Sequence, residues 1–164
     1  MEMILVSACL LGRKVRYDGA AKPVNAALMD RWRTEGRIVP FCPEVSGGLP
    51  VPRPAAELDG AAGAVLEGEA RVRTEAGADV TGAFVRGARL ALEAAERAGA
   101  RMAILKEGSP SCGTHRVYDG TFSGTSRPGA GVTTTVLERA GIRVFSENEL
   151  PEAADYLAAL EGHS

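Results

Sequence analysis

Short apolar runs alternate with amphipathic segments along the whole chain. The apolar runs predict strands, and they lie at 3–8, 37–41, 101–106 and 142–145. Segments with apolar residues at helical spacing predict helices, and these lie at about 24–35, 79–98, 132–140 and 149–161. Strands that alternate with helices are typical of parallel sheets joined by right-handed crossovers. The pattern therefore predicts an α/β fold: a single Rossmann-like domain over residues 1–164, with a mainly parallel sheet flanked by helices.

Several connecting segments are rich in turn-forming residues. Residues 10–19 are predicted to form a loop that ends in a turn. Prolines and glycines at 43–54 predict a rigid, irregular loop that starts at Cys42. Residues 65–72 are predicted to form a small hairpin or an edge excursion. The Gly/Ser/Thr-rich segment at 107–130 is too long to be a mere connector in a compact domain.

Each of the three cysteines follows a predicted strand. Cys9 comes after the first strand, Cys42 after the second, and Cys112 shortly after the strand at 101–106. In open parallel sheets, ligands bind beyond the carboxyl ends of the strands. We therefore expect the three thiols to converge at one edge of the sheet, although they are far apart in sequence.

Composition and charge narrow the classes of function. The chain has 164 residues, of which 45% are hydrophobic, and a formal net charge of -2. This balance gives no reason to expect nucleic-acid binding through a basic surface. The N-terminal residues lack the features of a signal peptide, and no run approaches the roughly 20 apolar residues of a membrane span. We therefore expect a cytoplasmic protein, in which three cysteines do not form a disulfide framework.

Three converging thiols are compatible with several kinds of site. A zinc ion takes four protein ligands in a structural site, or three and a water in a catalytic one. An iron–sulfur cluster is held by thiolates, usually four of them. With three thiolates, one iron would stay open to bind substrate as a Lewis acid. Cysteine is also a common buried apolar residue, so a purely structural role is the plain alternative.

Acid–base candidates lie close to the cysteines. Glu44 is two residues beyond Cys42 and could accept a proton from water near a metal centre, with a solvated loop charge as the alternative. Ser109 and Ser111 precede Cys112 and could bond to substrate or relay a proton. Capping a backbone turn is the commoner role of such hydroxyls.

Other polar residues near Cys112 carry weaker signals. Lys106 and Glu107 are expected to pair with each other at the surface. His115 is a candidate substrate contact, although a solvated loop histidine is the commoner case. The tripeptide Tyr-Asp-Gly occurs at 17–19 and again at 118–120, which indicates two turns.

Four motifs make the chain resemble a known family. They are Val-Ser-Ala-Cys-Leu-Leu-Gly at 6–12 with Arg-Tyr-Asp-Gly at 16–19, Cys-Pro-Glu-Val-Ser-Gly-Gly-Leu-Pro at 42–50 with Pro-Arg at 52–53, Ser-Pro-Ser-Cys-Gly at 109–113, and Tyr-Asp-Gly-Thr-Phe at 118–122. They resemble the thiouracil desulfidase family, long described as a domain of unknown function. The resemblance runs from residue 3 to about 147, nearly the whole chain.

The resemblance implies a cofactor and a substrate class. The family carries a 4Fe-4S cluster on three cysteines, which correspond to Cys9, Cys42 and Cys112, with one iron not ligated by protein. That iron would take the sulfur of a small thiopyrimidine, and a transient cluster with an extra sulfide would form. Water would replace the sulfur at the ring carbon without net redox change, and hydrogen sulfide would be released.

The resemblance also implies the residues that act on the substrate. The family's catalytic carboxylate corresponds to Glu44. Its catalytic serine lies in the Ser-Pro-Ser-Cys motif, where Ser109 is favoured over Ser111. The segment at 107–130 would close over the substrate ring and exclude bulk water.

Two other kinds of function stay open. A zinc- or thiol-dependent hydrolase or redox protein would use Cys112 as its nucleophile. A non-catalytic iron–sulfur sensor, or a sulfur-carrier module, would bind a partner instead of turning over a substrate.

Overall fold

Four parallel strands form the central sheet of the protein. A computed structural model describes residues 1–13, 17–18 and 27–162. The strands are β1 (Ile4–Ser7), β2 (Ile38–Phe41), β3 (Ala56–Leu58), β4 (Val72–Thr74), β5 (Met102–Leu105), β6 (Arg116–Tyr118), β7 (Ser126–Pro128) and β8 (Arg143–Ser146). The helices are α1 (Ala27–Thr34), α2 (Pro43–Ser46), α3 (Ala62–Leu66), α4 (Thr81–Ala98), α5 (Val132–Arg139) and α6 (Leu150–Leu160). The central sheet has the order β2-β1-β5-β8 with every pair parallel, which confirms the predicted α/β fold.

Helices cover both faces of the central sheet. Every residue of β1 and β5 is buried, and successive side chains point to opposite faces. Ile4 packs in a cluster with Trp32 of α1 and with apolar residues of α6. Leu5 packs on the other face, with Ala91 of α4 and Leu137 of α5. This two-sided burial explains why the central strands are almost wholly apolar in sequence.

Two antiparallel hairpins flank the central sheet. One pairs β3 with β4, and the other pairs β6 with β7. A third apolar cluster joins Leu58 of β3 and Val117 of β6 to Phe84 of α4. This cluster holds both hairpins against the layer formed by α4 and α5.

Three segments differ from the sequence-based predictions. Residues 43–46 form the short helix α2 instead of irregular loop, because a proline at the first helical position loses no hydrogen bond there. Residues 62–66 form α3, so the hairpin predicted at 65–72 is wrong. Residues 8–11, predicted as strand end and loop, form a short 3-10 helix. The long segment at 107–130 contains the β6–β7 hairpin, so it is more than a connector, as its length predicted.

Some predicted features lie outside the described residues. These are positions 24–26 of the first predicted helix, together with Arg16 and Gly19 of the first motif. A search of the described helices finds none that is both long enough and apolar enough to cross a membrane.

Candidate functional site

A cavity of about 380 Å³ opens at the carboxyl ends of β1, β2 and β5. Small-molecule sites usually have volumes of roughly 300–1,000 Å³. The residues predicted from sequence that line the cavity are Cys9, Cys42, Cys112, Glu44 and Ser109. The parallel sheet thus brings three separate motifs to one place, as the position of the cysteines after the strands predicted.

The three cysteines reach the cavity from three different elements. Cys9 lies in the 3-10 helix after β1, Cys42 directly precedes α2, and Cys112 lies in the loop that follows β5. All three belong to the described residues, and none forms a disulfide. In the described part of the chain, no group of three or more His, Cys, Asp or Glu side chains is arranged to hold a single metal ion.

This donor set fits a multinuclear iron–sulfur group. Each ligated iron of a cluster takes its own thiolate, so the sulfur atoms share a cavity without meeting at one point. Thiolate ligands are also the ones that iron–sulfur clusters select. Cys9, Cys42 and Cys112 supply three of them to one cavity.

The surroundings of Cys112 and Cys42 disfavour the ionised forms of their thiols. Burial raises the pKa of the Cys112 thiol above its ordinary value, against a hydrogen bond from Ser7 that lowers it. Burial likewise raises the pKa of Cys42, although the backbone N–H of Val45 opposes the shift. A protonated thiol is a poor nucleophile, so these surroundings do not favour the alternative in which Cys112 attacks substrate.

Glu44 owes its position to a close approach of two helices. It lies on α2, which packs against α4 at Gly87. A Cβ added at Gly87 would lie 1.9 Å from the carbonyl oxygen of Pro43. Only glycine therefore permits this distance between the helices, which places Cys42 and Glu44 at the cavity.

The carboxylate of Glu44 is bound at both of its oxygens. Arg53 donates from Nε to Oε1 at 3.0 Å, and Ser109 donates from Oγ to Oε2 at 3.2 Å. Arg53 also donates from Nη1 to the carbonyl oxygen of Pro50 at 3.0 Å. The side chains of Arg53 and Glu44 are 4% and 15% exposed, so this is a largely buried ion pair.

Ser109 connects the carboxylate to the loop that carries Cys112. Its Oγ accepts the backbone N–H groups of Ser111 and Cys112, at 3.0 and 3.1 Å. The same hydroxyl has one proton, which it donates to Glu44. Ser109 thus combines the turn-capping role expected of such a serine with a direct contact to the candidate base.

Ser111, the second serine of the motif, does not line the cavity. It is fully buried, and its hydroxyl bonds to that of Thr133 on α5 at 2.7 Å. Its carbonyl oxygen accepts the N–H of Thr133 at 2.9 Å. These contacts fasten the loop to the start of α5, and they favour Ser109 over Ser111 as the residue that meets substrate.

Lys106 and Glu107 do not pair with each other through their charges, contrary to prediction. The Nζ of Lys106 lies 3.3 Å from the carboxylate of Glu147, and it donates to the carbonyl oxygen of Glu107 at 2.6 Å. The carboxylate of Glu107 instead accepts N–H groups from Thr114, His115 and the following residue. Burial raises the pKa of Glu107, but these hydrogen bonds outweigh it and leave the pKa lowered.

His115 does not line the cavity. Its Nε2 lies 2.8 Å from Oε1 of Glu149, and the imidazole is mostly exposed. This hydrogen bond raises the pKa of His115, against a small opposing effect of burial. The residue belongs to a surface ion pair, as the commoner interpretation of a loop histidine predicted.

Sequence reasoning assigned no role to several residues that line the cavity, among them Ser7, Arg53, Glu57 and Phe122. Of these four, Ser7, Arg53 and Phe122 lie inside the motifs that carry the family resemblance, so the motifs themselves were the available signal. Glu57 lies on β3, outside every motif, and nothing in the local sequence indicated it.

Comparison with known proteins gives consistent results. The family model for 2-thiouracil desulfurase matches residues 4–149. An uncharacterised protein of Bacillus subtilis, YbbK, is 47% identical over 151 residues, which is 90% of this chain and 97% of that protein. A solved structure described as a 4Fe-4S-dependent thiouracil desulfidase, TudS, is 52% identical and superposes with a TM-score of 0.90. The match covers 97% of this chain and 99% of that one.

Proposed function

Because this chain belongs to the 2-thiouracil desulfurase family, we propose that it removes sulfur from 2-thiouracil or a related thio-nucleobase, with the help of a 4Fe-4S cluster. The observation that carries the proposal is that three thiols and the Glu44–Ser109 pair share one cavity. The similar solved structure described as a 4Fe-4S-dependent thiouracil desulfidase supports the same chemistry.

Cys9, Cys42 and Cys112 would hold the cluster. When bound, it would supply an iron without a protein ligand, a Lewis acid that polarises the carbon–sulfur bond of the substrate. The cavity is lined by both apolar and charged side chains, which suits a small neutral heterocycle. The substrate is thus a small molecule, and the net charge of -2 gives no support for nucleic acid as the partner.

The overall reaction exchanges sulfur for the oxygen of water. The substrate carbon loses its bond to sulfur and gains a bond to oxygen, so that 2-thiouracil and water give uracil and hydrogen sulfide without any change in oxidation state. Two protons must move from the water to the departing sulfur. A base beside the ring and a donor beside the sulfur are therefore required.

We assign these proton transfers to Glu44 and Ser109, and the hydrogen bond between them supports the assignment. Oε2 of Glu44 accepts a proton from the attacking water, the Ser109 hydroxyl passes its own proton to the sulfur, and Glu44 returns its proton to Ser109. The same relay, made a second time as the carbon–sulfur bond breaks, delivers the second proton and leaves both residues as they began. Arg53 fixes the other carboxylate oxygen and balances its charge in the buried site. The loop at 107–130 contributes Ser109 and Tyr118 to the cavity wall, where it limits the access of bulk water.

Anaerobic purification followed by iron and sulfide analysis is the first test. We expect about four iron and four sulfide per chain, and release of sulfide from 2-thiouracil by the loaded protein. Stoichiometric zinc with no cluster absorption would overturn the proposal. A loaded protein that releases no sulfide from any thiopyrimidine would instead support a sensor or carrier.

Two variants test the assigned residues against a matched control. Glu44→Gln and Ser109→Ala should each lower kcat by about 100-fold or more, which is typical for loss of a proton-transfer group. Ser111→Ala, two residues away but outside the cavity, should retain the wild-type kcat. A wild-type rate in Glu44→Gln would remove that carboxylate from the mechanism.

A further inference from the structure

Phe122 lies at the cavity without a structural reason for being aromatic. It lines the cavity and is only partly buried. It belongs to none of the three apolar clusters that make up the core of the described residues. Its ring therefore contributes to the wall of the site and not to the packing of the fold.

The backbone of Phe122 has an unusual conformation. Its φ of 57° lies in the left-handed region, and no other non-glycine residue of the described ranges has a positive φ. A side chain makes this region unfavourable, so other contacts must stabilise it. Strained residues of this kind cluster at functional sites, where the strain aims a side chain.

Glu57 supplies the main contact that holds this conformation. Its Oε1 accepts the backbone N–H of Gly120 at 2.9 Å and that of Phe122 at 3.2 Å. Gly120 also approaches β3 closely, since an added Cβ would lie 2.7 Å from the carbonyl oxygen of Leu58. The tip of the β6–β7 hairpin is thus fastened to β3 beside the cavity.

Hydrogen bonds within the tip make it rigid. Asp119 accepts from the backbone N and the hydroxyl of Thr121, at 3.0 and 2.5 Å. The N–H of Asp119 donates to the carbonyl oxygen of Thr125 at 3.0 Å, which closes the loop. A rigid tip can present the Phe122 ring in one orientation, at low entropic cost when a ligand binds.

We propose that Phe122 is a substrate-contacting residue, whose ring packs against the face of the thiopyrimidine ring, and that Glu57 is the residue that positions it. This inference rests on the proposed function. An aromatic face suits a flat heterocycle, because stacking buries both rings without requiring a particular pattern of hydrogen bonds. It selects for an unsaturated ring and does not touch the proton-transfer groups.

Kinetics of the cluster-loaded protein test the proposal. Phe122→Leu should lower kcat/KM for 2-thiouracil about tenfold, mainly through KM, because the stacking contact is made before the reaction and during it. Phe122→Tyr keeps the aromatic face and should stay within about threefold of wild type. Arg116→Ala, in the same hairpin but neither in the tip nor at the cavity, is the control and should not change either constant.

Glu57 is tested by a matched pair of substitutions. Glu57→Ala removes the acceptor and should raise KM as Phe122→Leu does, whereas Glu57→Gln retains an acceptor oxygen and should restore most of the lost affinity. An unchanged KM in Phe122→Leu, or equal losses in Glu57→Gln and Glu57→Ala, would overturn the respective assignment.

Calorimetry on the wild-type protein gives a test that needs no variant and no turnover. Uracil should bind at least several-fold more tightly than 5,6-dihydrouracil, whose saturated ring is puckered and cannot stack well. Equal affinities would overturn the role of Phe122 even if Phe122→Leu failed to fold. A wild-type protein that binds uracil preferentially but releases no sulfide would contradict the proposed function and leave the Phe122 contact standing.

Discussion

Removal of the Arg53 guanidinium should destabilise the protein, because it leaves the largely buried carboxylate of Glu44 without its ion-pair partner. In Arg53→Met, the side chain keeps a similar length and loses its charge. Among the side chains that the structure describes, Ser109 alone would then still donate a hydrogen bond to Glu44, which is 15% exposed. The variant therefore measures how strongly the fold depends on pairing the candidate base.

The structure sets the size of the expected effect. Opposite charges 3.0 Å apart attract by about 5 kcal/mol at an effective dielectric constant of about 20, and desolvation of the two groups offsets part of this. Loss of one partner from a buried pair typically costs about 3–5 kcal/mol. Because Glu44 keeps some contact with solvent, we expect a loss at the lower end, about 3 kcal/mol.

Urea unfolding of the metal-free protein provides the assay, with an exposed ion pair as control. Arg73 and Asp59 also lie 3.0 Å apart, but their side chains are 51% and 38% exposed. Arg73→Met should therefore cost less than about 1 kcal/mol. In a Glu44→Gln background, Arg53→Met should cost about 2 kcal/mol less than in wild type, since no charge is left unpaired. Equal losses at the two arginines, or additive losses at Arg53 and Glu44, would refute the reasoning.

Three further predictions follow from other contacts. Gly87→Ala should lower the free energy of unfolding in urea by about 2 kcal/mol or more and reduce the iron content, because its Cβ would overlap α2. Gly82→Ala on the same helix is the control: its Cβ would meet nothing within 4 Å, so it should be neutral or stabilising in the same urea titration. Ser111→Ala should lower the free energy of unfolding by about 1–2 kcal/mol, because it removes a buried hydrogen bond to Thr133. Thermal unfolding measures this loss, and a loss greater than that of Gly87→Ala would contradict the estimate. The hydrogen bond with Glu149 raises the pKa of His115, so the small stability that it contributes is present below about pH 6.5 and is lost as the pH rises through the folded-state pKa. An NMR titration should show the raised pKa of the imidazole and its return toward the ordinary range in Glu149→Gln.

The core of the fold was predictable because its signals are local. The run at residues 3–8 is apolar since β1 is covered by helices on both faces, and the same holds for β5. α4 shows its buried side as Phe84, Ala88, Ala91 and Ala95 at helical spacing, and Gly99 ends it with a positive φ. Such periodicity can be recognised in the sequence without knowing which elements the strand or helix packs against.

The failed predictions concern segments whose conformation depends on distant contacts. α2 is only four residues long and lies in a segment rich in prolines and glycines, so the local pattern favours an irregular loop. Its packing against α4 at Gly87 stabilises the helix. β3 and β4 are three residues each and are separated by α3, which hides their pairing from a search for tight hairpins.

The candidate site shows the same division. The motif resemblance and the placement of Cys9, Cys42 and Cys112 after strands predicted one shared site, because parallel strands present their carboxyl ends at one edge. No spacing rule could distinguish Ser109 from Ser111, which differ in position by two residues. The family resemblance favoured Ser109, and the contacts of α5 support that preference, since Thr133 bonds to the hydroxyl of Ser111 whereas that of Ser109 donates to Glu44.

The sequence alone thus determined the strands of the central sheet, the main helices and the chemical groups that follow the strands, because hydrophobic periodicity depends on neighbouring residues. Only the tertiary structure decided which groups meet. Ser109 donates to Glu44 across 65 positions of the sequence, and Glu57 of β3 binds the tip of the β6–β7 hairpin across 63. These contacts join residues far apart in sequence, and they depend on packing distances that no local pattern encodes.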